Sequence, residues 1–457
     1  MRLFDSKSQS VRELPASPAG EVRIYACGPT VYDRIHLGNA RPYVVFMVLR
    51  RTLAALGYRP RLAINITDIN DKIYAAAAAR GVSSSSLAEE MTNHYIADTD
   101  RLGLGRPDHE PRASQHIAAI VAYIEALLER GHAYVVPYTA NGIATADVYF
   151  RVKSDPAYGS LSHRSLEEMD QGEGVEGAER KEDPLDFALW KGRKAGEDAF
   201  WDSPWGPGRP GWHIECSAMA EAVLGGPIEV HGGGIDLLFP HHENEGAQAR
   251  CARGRELAAI WMHNGMVQAT GEKMAKSVGN IAPLHEVLQR FGRPATVLYL
   301  LSAHYRQPLA YTEEALRQAQ AGARRIEEAL RFADPRQPLP AQLEGLRERV
   351  LAALQDDFNT PKALAEVFAA VRELNRLRSG GGRPGGGELH ELAQLLGIAS
   401  SGGEEDLDPR AVALLREREE ARARRDFHTA DRLREQLREL GWEVRDTAAG
   451  PELVRRG

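Results

Sequence analysis

A strand, a helix and a second strand near the N-terminus most constrain the fold of this 457-residue chain. The apolar segment Val22 to Tyr25 predicts a buried strand, Ala40 to Leu56 has the periodicity of an amphipathic helix, and Arg61 to Ile66 predicts the next strand. This order opens a doubly wound parallel sheet, in which ligands bind at the carboxyl ends of the strands. Strand patterns return at Ile228 to Val230 and at Ala259 to His263. We therefore predict an α/β domain of the Rossmann type.

The remainder of the chain divides by composition. From about 108 to 203 it reads as helices, turns and a polar stretch, GEGVEGAERKEDP, which indicate an inserted subdomain. From Ala282 onward the periodicity is almost entirely helical, and the Gly-rich segments 379–387 and 401–406 predict flexible breaks. The predicted domains are a catalytic domain at 1–300 with its insert, an all-α helical region at 301–400 and a small C-terminal module at 401–457.

Composition limits the class of protein. An apolar content of 43% and a charged content of 26% are typical of a globular chain. No apolar run approaches the roughly 20 residues that span a bilayer, and the segment MRLFDSKSQS lacks an apolar signal, so we expect a cytoplasmic protein without membrane contact. Three cysteines are too few for a disulfide framework. The net charge of −7 argues against indiscriminate coating of nucleic acid, but it allows a local basic face.

A group of candidate metal ligands lies in and around the phrase HGGGIDLLFPHHENE, which starts at His231. His241 and Glu245 are four residues apart and share one face of a helix. Cys27, after the first strand, and Cys216, at the end of GWHIEC, could add two thiolates. Two thiolates, an imidazole and a carboxylate suit zinc. Because no CxxC pair is present, the spacing alone equally allows two small core cysteines and a polar helix start.

Two further phrases indicate a nucleotide site. In HLGN, His36 and the amides that follow it would face an anion at a helix N-terminus, and Gly38 would allow close backbone approach. In GEKMAKSVGN, Lys273 and Lys276 suit a polyphosphate, because lysine acts as a mobile point charge. Each phrase alone is also typical of a helix-entry loop or a solvated basic loop. Their occurrence together, one after the first strand and one after the last, favours the nucleotide site.

These phrases, with DDFNTPKAL and DFHTADRLREQLRELG further on, resemble the cysteinyl-tRNA synthetases, a family of class I aminoacyl-tRNA synthetases, over essentially the whole chain. The resemblance implies an enzyme that activates L-cysteine with ATP and Mg²⁺ and transfers it to the 3′ end of tRNA(Cys). It implies one zinc ion per chain that selects the cysteine thiolate. The expected zinc ligands are Cys27, Cys216, His241 and Glu245. We expect a monomer whose helical region binds tRNA and whose last module recognises the anticodon.

The resemblance also assigns the remaining site residues. Catalytic roles are expected for His36, Asn39, Lys273 and Lys276. Contacts to ATP are expected from the same four residues and from Gly38 and Asp236. Contacts to the amino acid are expected from Gly28, Thr67, Trp212 and His231. The family's usual HxGH and KMSKS carry Asn39 and Ala275 here, and asparagine can donate to a phosphate but cannot be charged.

The last module is expected to contact tRNA through one basic helix and one aromatic residue. The helix carries Arg418, Arg422, Arg424 and Arg425, and Trp442 follows it. Glutamates interleave with these arginines, which is also typical of a solvated helix.

Two rival functions remain at this level. A cysteine ligase of the mycothiol-pathway type, which joins cysteine to an amino-sugar, would need neither the terminal module nor the helices after Ser379. A non-catalytic tRNA-binding or zinc-binding paralogue would be expected to lose His36 or the lysines.

Overall fold

The computed structural model describes residues 1–17, 19–140, 142–169, 178–269, 272–273, 281–379, 383–399, 409–424, 426–447 and 450–455. The chain forms two compact units, Met1–Ala399 and Ser400–Gly457. Among the helices of these ranges, none combines the length and the apolar character needed to cross a membrane.

The secondary structure of the first unit follows in chain order. Its first part contains β1 (Arg2–Asp5), β2 (Ser10–Glu13), β3 (Glu21–Ala26), α1 (Leu37–Ala55), β4 (Arg59–Ile64), α2 (Asp71–Arg80), α3 (Ser84–Asp100), α4 (Ile117–Glu129), β5 (Ala133–Ala140), β6 (Ile143–Phe150), β7 (Phe187–Gly192) and β8 (Gly208–Pro210). Its second part contains α5 (Trp212–Leu224), β9 (Ile228–Gly234), α6 (Glu243–Arg253), β10 (Ala258–Asn264), β11 (Val267–Ala269), β12 (Glu272–Lys273), α7 (Leu284–Phe291), α8 (Arg293–Leu301), β13 (Leu309–Tyr311), α9 (Glu313–Phe332), α10 (Leu346–Gln355), α11 (Thr360–Ser379) and α12 (Gly387–Leu395).

A four-stranded parallel sheet of β10, β9, β3 and β4, in that spatial order, forms the centre of the first unit. Chain order runs outward from β3 to β4 and again from β9 to β10, so the topology switches between β3 and β9. The Rossmann-type prediction is confirmed. A ligand is expected at such a switch point, beside the carboxyl ends of β3 and β9.

Helix α1 begins three residues before the predicted start. His36 is its N-cap: the His36 Nδ1 atom accepts the Gly38 N–H, and the Asn39 side chain accepts the His36 N–H, which makes a capping box. The predicted amphipathic character is wrong, because every residue from Tyr43 to Leu49 is buried. A helix that is apolar on all sides lies inside a fold.

The segment between β4 and α5 differs from the prediction of helices and turns. It contains α4 and a four-stranded antiparallel sheet with the order β5, β6, β7, β8. The side chains of Val148, Phe150, Phe187 and Trp190 form part of the core under this sheet. Alternating apolar and polar residues in IATADVYF were the signal for a strand. Residues 170–177 of this segment, which include the start of the polar stretch, lie outside the described residues.

Helices α7 to α12 confirm the helical periodicity after Ala282. Asp357 connects these helices to β1 by a hydrogen bond. Its carboxylate accepts the Phe4 N–H at 2.9 Å and the Tyr305 hydroxyl at 2.8 Å. Asp357 and Phe358 both have positive φ, of 56° and 49°. This buried carboxylate therefore holds the turn between α10 and α11 against β1.

The Gly-rich segment 379–387 is not a free linker over its described residues 383–387. The Asp334 N–H donates to Pro384 O at 2.9 Å, and the Gly386 N–H donates to Asp334 O at 2.8 Å. A Cβ atom at Gly385 would lie 1.8 Å from Pro338 O. The glycines allow two backbones to touch here, whereas composition predicts only flexibility. The break at 401–406 lies outside the described residues.

The second unit contains α13 (Pro409–Ala423), α14 (Phe427–Glu439) and an antiparallel hairpin of β14 (Trp442–Thr447) and β15 (Gly450–Arg455). The expected aromatic contact surface at Trp442 is wrong, because its ring is 6% exposed and packs in a small core with Ala411 and Leu437. Arg418 is also buried and pairs with Glu419 at 2.5 Å. Arg422 lies 3.9 Å from Glu419, Arg424 follows the end of α13, and Arg425 lies outside the described residues.

We expect a chain that ends at Ala399 to fold on its own, because the two units have separate apolar cores. Thermal unfolding followed by circular dichroism should show one cooperative transition with a midpoint within a few degrees of that of the full chain. A shortened chain without a cooperative transition would contradict this division.

Candidate active site and metal centre

The carboxyl end of β3 is held by close backbone contacts on both sides. The Cys27 N–H donates to Gly232 O of β9 at 2.8 Å. The Gly28 N–H donates to the Asn65 side chain, just after β4, at 2.9 Å. A Cβ atom at Gly28 would lie 1.8 Å from Asn65 O, so only glycine fits there. The sequence therefore places the Cys27 thiol at the junction of three strands.

Three other elements bring ligand atoms to this thiol. Cys216 lies in the second turn of α5, His241 lies in the kinked segment Leu238–His242 just before α6, and Glu245 lies in the first turn of α6. These side chains and Cys27 form a group whose candidate ligand atoms all lie within 4.8 Å of one another. All four predicted ligands are thus buried at one point of the fold.

The separations within this group are those of one shared coordination sphere. The Cys27 Sγ atom lies 3.6 Å from the Cys216 Sγ atom and 3.6 Å from the Glu245 Oε1 atom. The His241 Nε2 atom lies 2.9 Å from the Glu245 Oε1 atom. Zinc bonds of about 2.0–2.3 Å in a tetrahedron place neighbouring ligand atoms roughly 3.3–3.8 Å apart. The donor set fits zinc, and the two separations from the Cys27 Sγ atom lie in this range, whereas His241 and Glu245 are at a shorter, hydrogen-bond distance.

Burial and mutual charge set the protonation of the group. Burial opposes ionisation of Cys216, but the Cys27 hydrogen bond and the His241 charge lower its pKa to about 6. Burial and the neighbouring Cys216 raise the pKa of Cys27 well above its usual value. Burial would lower the pKa of His241, yet Glu245 and Cys216 raise it to about 10. These shifts favour a thiolate at Cys216 and a charged imidazole at His241 and keep the proton on Cys27, so a bound cation would have to displace protons from the group.

A second candidate group shares two of these ligands. Cys27 and Glu245 also lie within 4.8 Å of His231 and His242, measured between ligand atoms. The His231 Nε2 atom is 3.7 Å from the Cys27 Sγ atom and 3.1 Å from the Glu245 Oε2 atom. The His242 Nε2 atom is 3.4 Å from the Cys27 Sγ atom. Sequence reasoning missed His242, although its place beside His241 in HHENE was a signal.

Two more histidines orient the rings of this centre. The Nδ1 atom of His241 lies 3.0 Å from the Nδ1 atom of His213, and the Nδ1 atom of His242 lies 2.8 Å from the Nε2 atom of His263. Burial lowers the pKa of His213 well below its usual value, and it lowers that of His263 to about 3. Neutral rings can accept the N–H of a ligand imidazole, and such partners fix the orientation of metal-bound histidines.

Predicted contacts to the amino acid surround the centre. The Trp212 ring is half-buried and stacks on His241, with centroids 4.3 Å apart. Thr67 is buried, and its N–H donates to Pro29 O at 3.1 Å. His231 is fully buried and stacks on Tyr25, with centroids 5.3 Å apart. Gly28 follows Cys27 in the chain and the Trp212 ring contacts His241, whereas the His231 Nε2 atom lies 3.7 Å from the Cys27 Sγ atom.

The residues predicted for the nucleotide lie at the N-terminus of α1 and after β9. His36 and Asn39 form the capping box, and Asn39 is exposed. Asp236 is exposed in a short turn that follows β9. Lys273 lies in β12, but its side chain is not described, and Lys276 lies outside the described residues.

The chain past β12 returns to α1. The Leu37 N–H donates to Ala282 O, and the Leu284 N–H donates to Ile35 O, each at 3.0 Å. Backbone hydrogen bonds thus join Ile35 and the HLGN phrase to residues 282 and 284, which follow the GEKMAKSVGN phrase in the chain.

Comparisons with protein families cover most of the chain. Residues 14–321 match a family described as "tRNA synthetases class I (C) catalytic domain". Residues 349–400 match a DALR domain, and residues 404–450 match a "Cysteinyl-tRNA ligase anticodon binding domain". The last match supplies the module that a ligase for an amino-sugar would not need.

Curated proteins with similar sequences and solved structures with a similar fold are also aminoacyl-tRNA synthetases. A cysteine–tRNA ligase of Alkalilimnicola ehrlichii is 47% identical over an alignment of 466 positions that covers 98% of each chain. One of Caldicellulosiruptor saccharolyticus is 40% identical over an alignment of 472 positions that covers 100% of each chain. A Mycobacterium tuberculosis methionyl-tRNA synthetase with methionyl-adenylate aligns with a TM-score of 0.59 at 16% identity, over 82% of this chain and 89% of that one. An Agrobacterium radiobacter LeuRS in complex with tRNA aligns with a TM-score of 0.62 at 12% identity, over 84% of each chain, so both structures share the fold.

The chain therefore belongs to the cysteine–tRNA ligases, a family of class I aminoacyl-tRNA synthetases.

Proposed function

We propose that this enzyme selects L-cysteine at a zinc ion, converts it with ATP to cysteinyl-adenylate and transfers it to the 3′ end of tRNA(Cys). In the first step the cysteine carboxylate attacks the α-phosphate of ATP and pyrophosphate leaves. In the second step a terminal ribose hydroxyl attacks the activated carbonyl and AMP leaves. The observation that carries the proposal is the buried group of Cys27, Cys216, His241 and Glu245 at the switch point of the sheet.

These four residues would hold the zinc ion. Bound zinc favours a thiolate over a hydroxyl, because sulfur is the softer ligand, and so it distinguishes cysteine from serine. An apolar pocket alone separates near-isosteres by only about 10- to 200-fold. His231 and His242 would orient the ligands, because they lie within hydrogen-bond distance of Glu245 and Cys27. Trp212 would cover the small substrate, because its ring stacks on the ligand His241, and Gly28 and Thr67 would border its backbone.

The adenylation step needs alignment and neutralisation of charge on the phosphates. We assign this role to the N-terminus of α1, with His36, Gly38 and Asn39, and to Lys273 and Lys276 together with Mg²⁺. The capping role of Asn39 uses its amide oxygen and leaves an amide nitrogen as a donor group. Asparagine at this position is therefore compatible with phosphate binding. Asp236, after β9, would contact the ATP ribose.

The second unit would contact the anticodon through a different aromatic residue from the one expected. Phe427 is the first residue of α14, and it is 63% exposed. An exposed ring of this kind offers a stacking surface for an unpaired base. Because Trp442 lies in the core of the unit, we assign the stacking contact with an anticodon base to Phe427.

We expect Cys216→Ser to lose bound zinc and cysteine-dependent pyrophosphate exchange, because it removes one of two thiolates from the site. The variant His242→Gln should keep zinc with about 10- to 100-fold weaker affinity, as for other residues that only support a ligand. Zinc content by mass spectrometry, and exchange with cysteine against serine before and after chelation, test both. Cys251→Ser is the matched control, since Cys251 is also buried and lies outside the group.

If Cys216→Ser kept its full zinc content and His242→Gln lost zinc, the metal would belong to the second group, with His231 and His242. Exchange that proceeds with serine as well as with cysteine would remove the proposed selection by zinc.

We expect Phe427→Ala to raise the KM for tRNA(Cys) about 5- to 150-fold, which corresponds to a lost stacking energy of ~1–3 kcal/mol. Pyrophosphate exchange does not involve tRNA and should be unchanged. The control is Leu440→Ala, which removes another exposed apolar side chain of the same unit, 39% exposed. Equal aminoacylation kinetics of the Phe427 variant and the native enzyme at sub-saturating tRNA would refute the stacking role.

A further inference from the structure

Arg41 is a fully buried cation in α1, two residues after the HLGN phrase. Within the described part of the chain, no carboxylate is among its hydrogen-bond or ion-pair partners. Burial lowers its pKa to about 10, so the guanidinium remains charged at neutral pH. Burying a charge without a counter-ion is costly, and its retention needs compensating hydrogen bonds.

Those hydrogen bonds all go to backbone carbonyls of two neighbouring segments. The Arg41 Nη1 atom donates to Gly265 O and to Gln307 O, each at 2.7 Å. The Nη2 atom donates to His304 O at 3.0 Å. Gly265 leads from β10 into β11, and Gln307 leads from α8 into β13. One side chain therefore joins the starts of two strands.

The two segments touch so closely that the arginine fork can reach both. A Cβ atom at Gly265 would lie 2.3 Å from Gln307 O, and the Gly265 N–H donates to Tyr305 O at 2.7 Å. Lysine has no planar fork and cannot reproduce this set of contacts with the same geometry. The site thus needs both glycine at 265 and arginine at 41.

Both strands that begin at this junction, β11 and β13, lie in the sheet that also contains β12, and β12 carries the described part of the GEKMAKS phrase. Strand β11 pairs with β13 in parallel and with β12 in antiparallel register, in which Gln268 faces Lys273. On the far side of the phrase, the Leu37 N–H donates to Ala282 O at 3.0 Å. Helix α1 therefore contacts the chain before and after the phrase, through Arg41 and through its own first turn.

We propose that Arg41 is a positioning residue for adenylation, which fixes the hairpin of β11 and β12, with Lys273, relative to the N-terminus of α1, with His36. The proposal rests on the nucleotide role assigned above to these two phrases. Arg41 makes no contact with substrate in it. Misplacement of a catalytic group by about 1 Å can cost on the order of 100-fold in rate.

The test compares Arg41→Met with Arg51→Met. Arg51 lies on the same helix and also donates to carbonyls, those of Gln394 at 2.8 Å and Gly103 at 3.2 Å, but it lies away from the hairpin. We expect Arg41→Met to lower kcat for cysteine-dependent pyrophosphate exchange by about 10- to 100-fold, with the KM for cysteine within twofold. Arg51→Met should keep the native kcat. Arg41→Lys, which keeps the charge but not the fork, should fall between Arg41→Met and the native enzyme.

A second readout follows the hairpin without activity. Amide hydrogen exchange at Val267 to Ala269 should be faster in Arg41→Met than in the native enzyme and unchanged in Arg51→Met. If Arg41→Met does not fold, Arg41→Lys is compared with Arg51→Lys in the same two measurements. If the Arg41 variant showed native hydrogen-exchange rates at these amides and a native kcat for pyrophosphate exchange, the inference would be overturned. A native enzyme that does not exchange pyrophosphate with cysteine would instead refute the proposed function, and the amide measurement would still test the fixing of the hairpin.

Discussion

The register of β3 between β4 and β9 is the constraint on which the site depends. Cys27 follows β3 directly, and its thiol reaches the other ligands only because the neighbouring backbones come into contact. Gly28 lies where a Cβ atom would be 1.8 Å from Asn65 O, and Gly232 lies where one would be 2.1 Å from Met262 O. Side chains at either position would separate the strands. The glycines therefore set the spacing at the carboxyl ends of the strands, and this spacing brings Cys27 close to Cys216 and Glu245.

The cost of this arrangement is a set of ionisable groups inside the fold. Two thiols, several imidazoles and Glu245 are buried within hydrogen-bond distance of one another. Isolated burial of such groups is strongly unfavourable. Here each ligand has a neutral or oppositely charged neighbour: His213 faces His241, and His231 lies 3.1 Å from Glu245. A divalent cation bound here would displace protons from these groups to the solvent and compensate their burial, which would link metal binding to the stability of the core.

Helix α1 has two structural roles, one at its N-terminus and one in its buried interior. Its N-terminus carries the capping box of His36 and Asn39, which presents helix amides and a positive dipole end to an anion. Its interior is buried on every side and reaches the chain on both sides of the GEKMAKS phrase. The HLGN and GEKMAKS phrases are distant in sequence, but α1 contacts described residues that precede and follow the second phrase. The apolar character of the helix follows from this central position.

Sequence alone determined the strand–helix–strand order, the four clustered ligands and the family, because local periodicity and long specific phrases encode them. It did not determine the antiparallel sheet of the insert, the contacts of residues 383–387, or which aromatic ring of the second unit is exposed. Trp442 and Phe427 are both plausible base-stacking residues by type, yet Trp442 lies in the core and Phe427 at the surface. His242 belongs to the centre because the turn before α6 places its Nε2 atom 3.4 Å from the Cys27 Sγ atom, after β3. Such outcomes depend on contacts between residues far apart in the chain, which the tertiary structure alone decides.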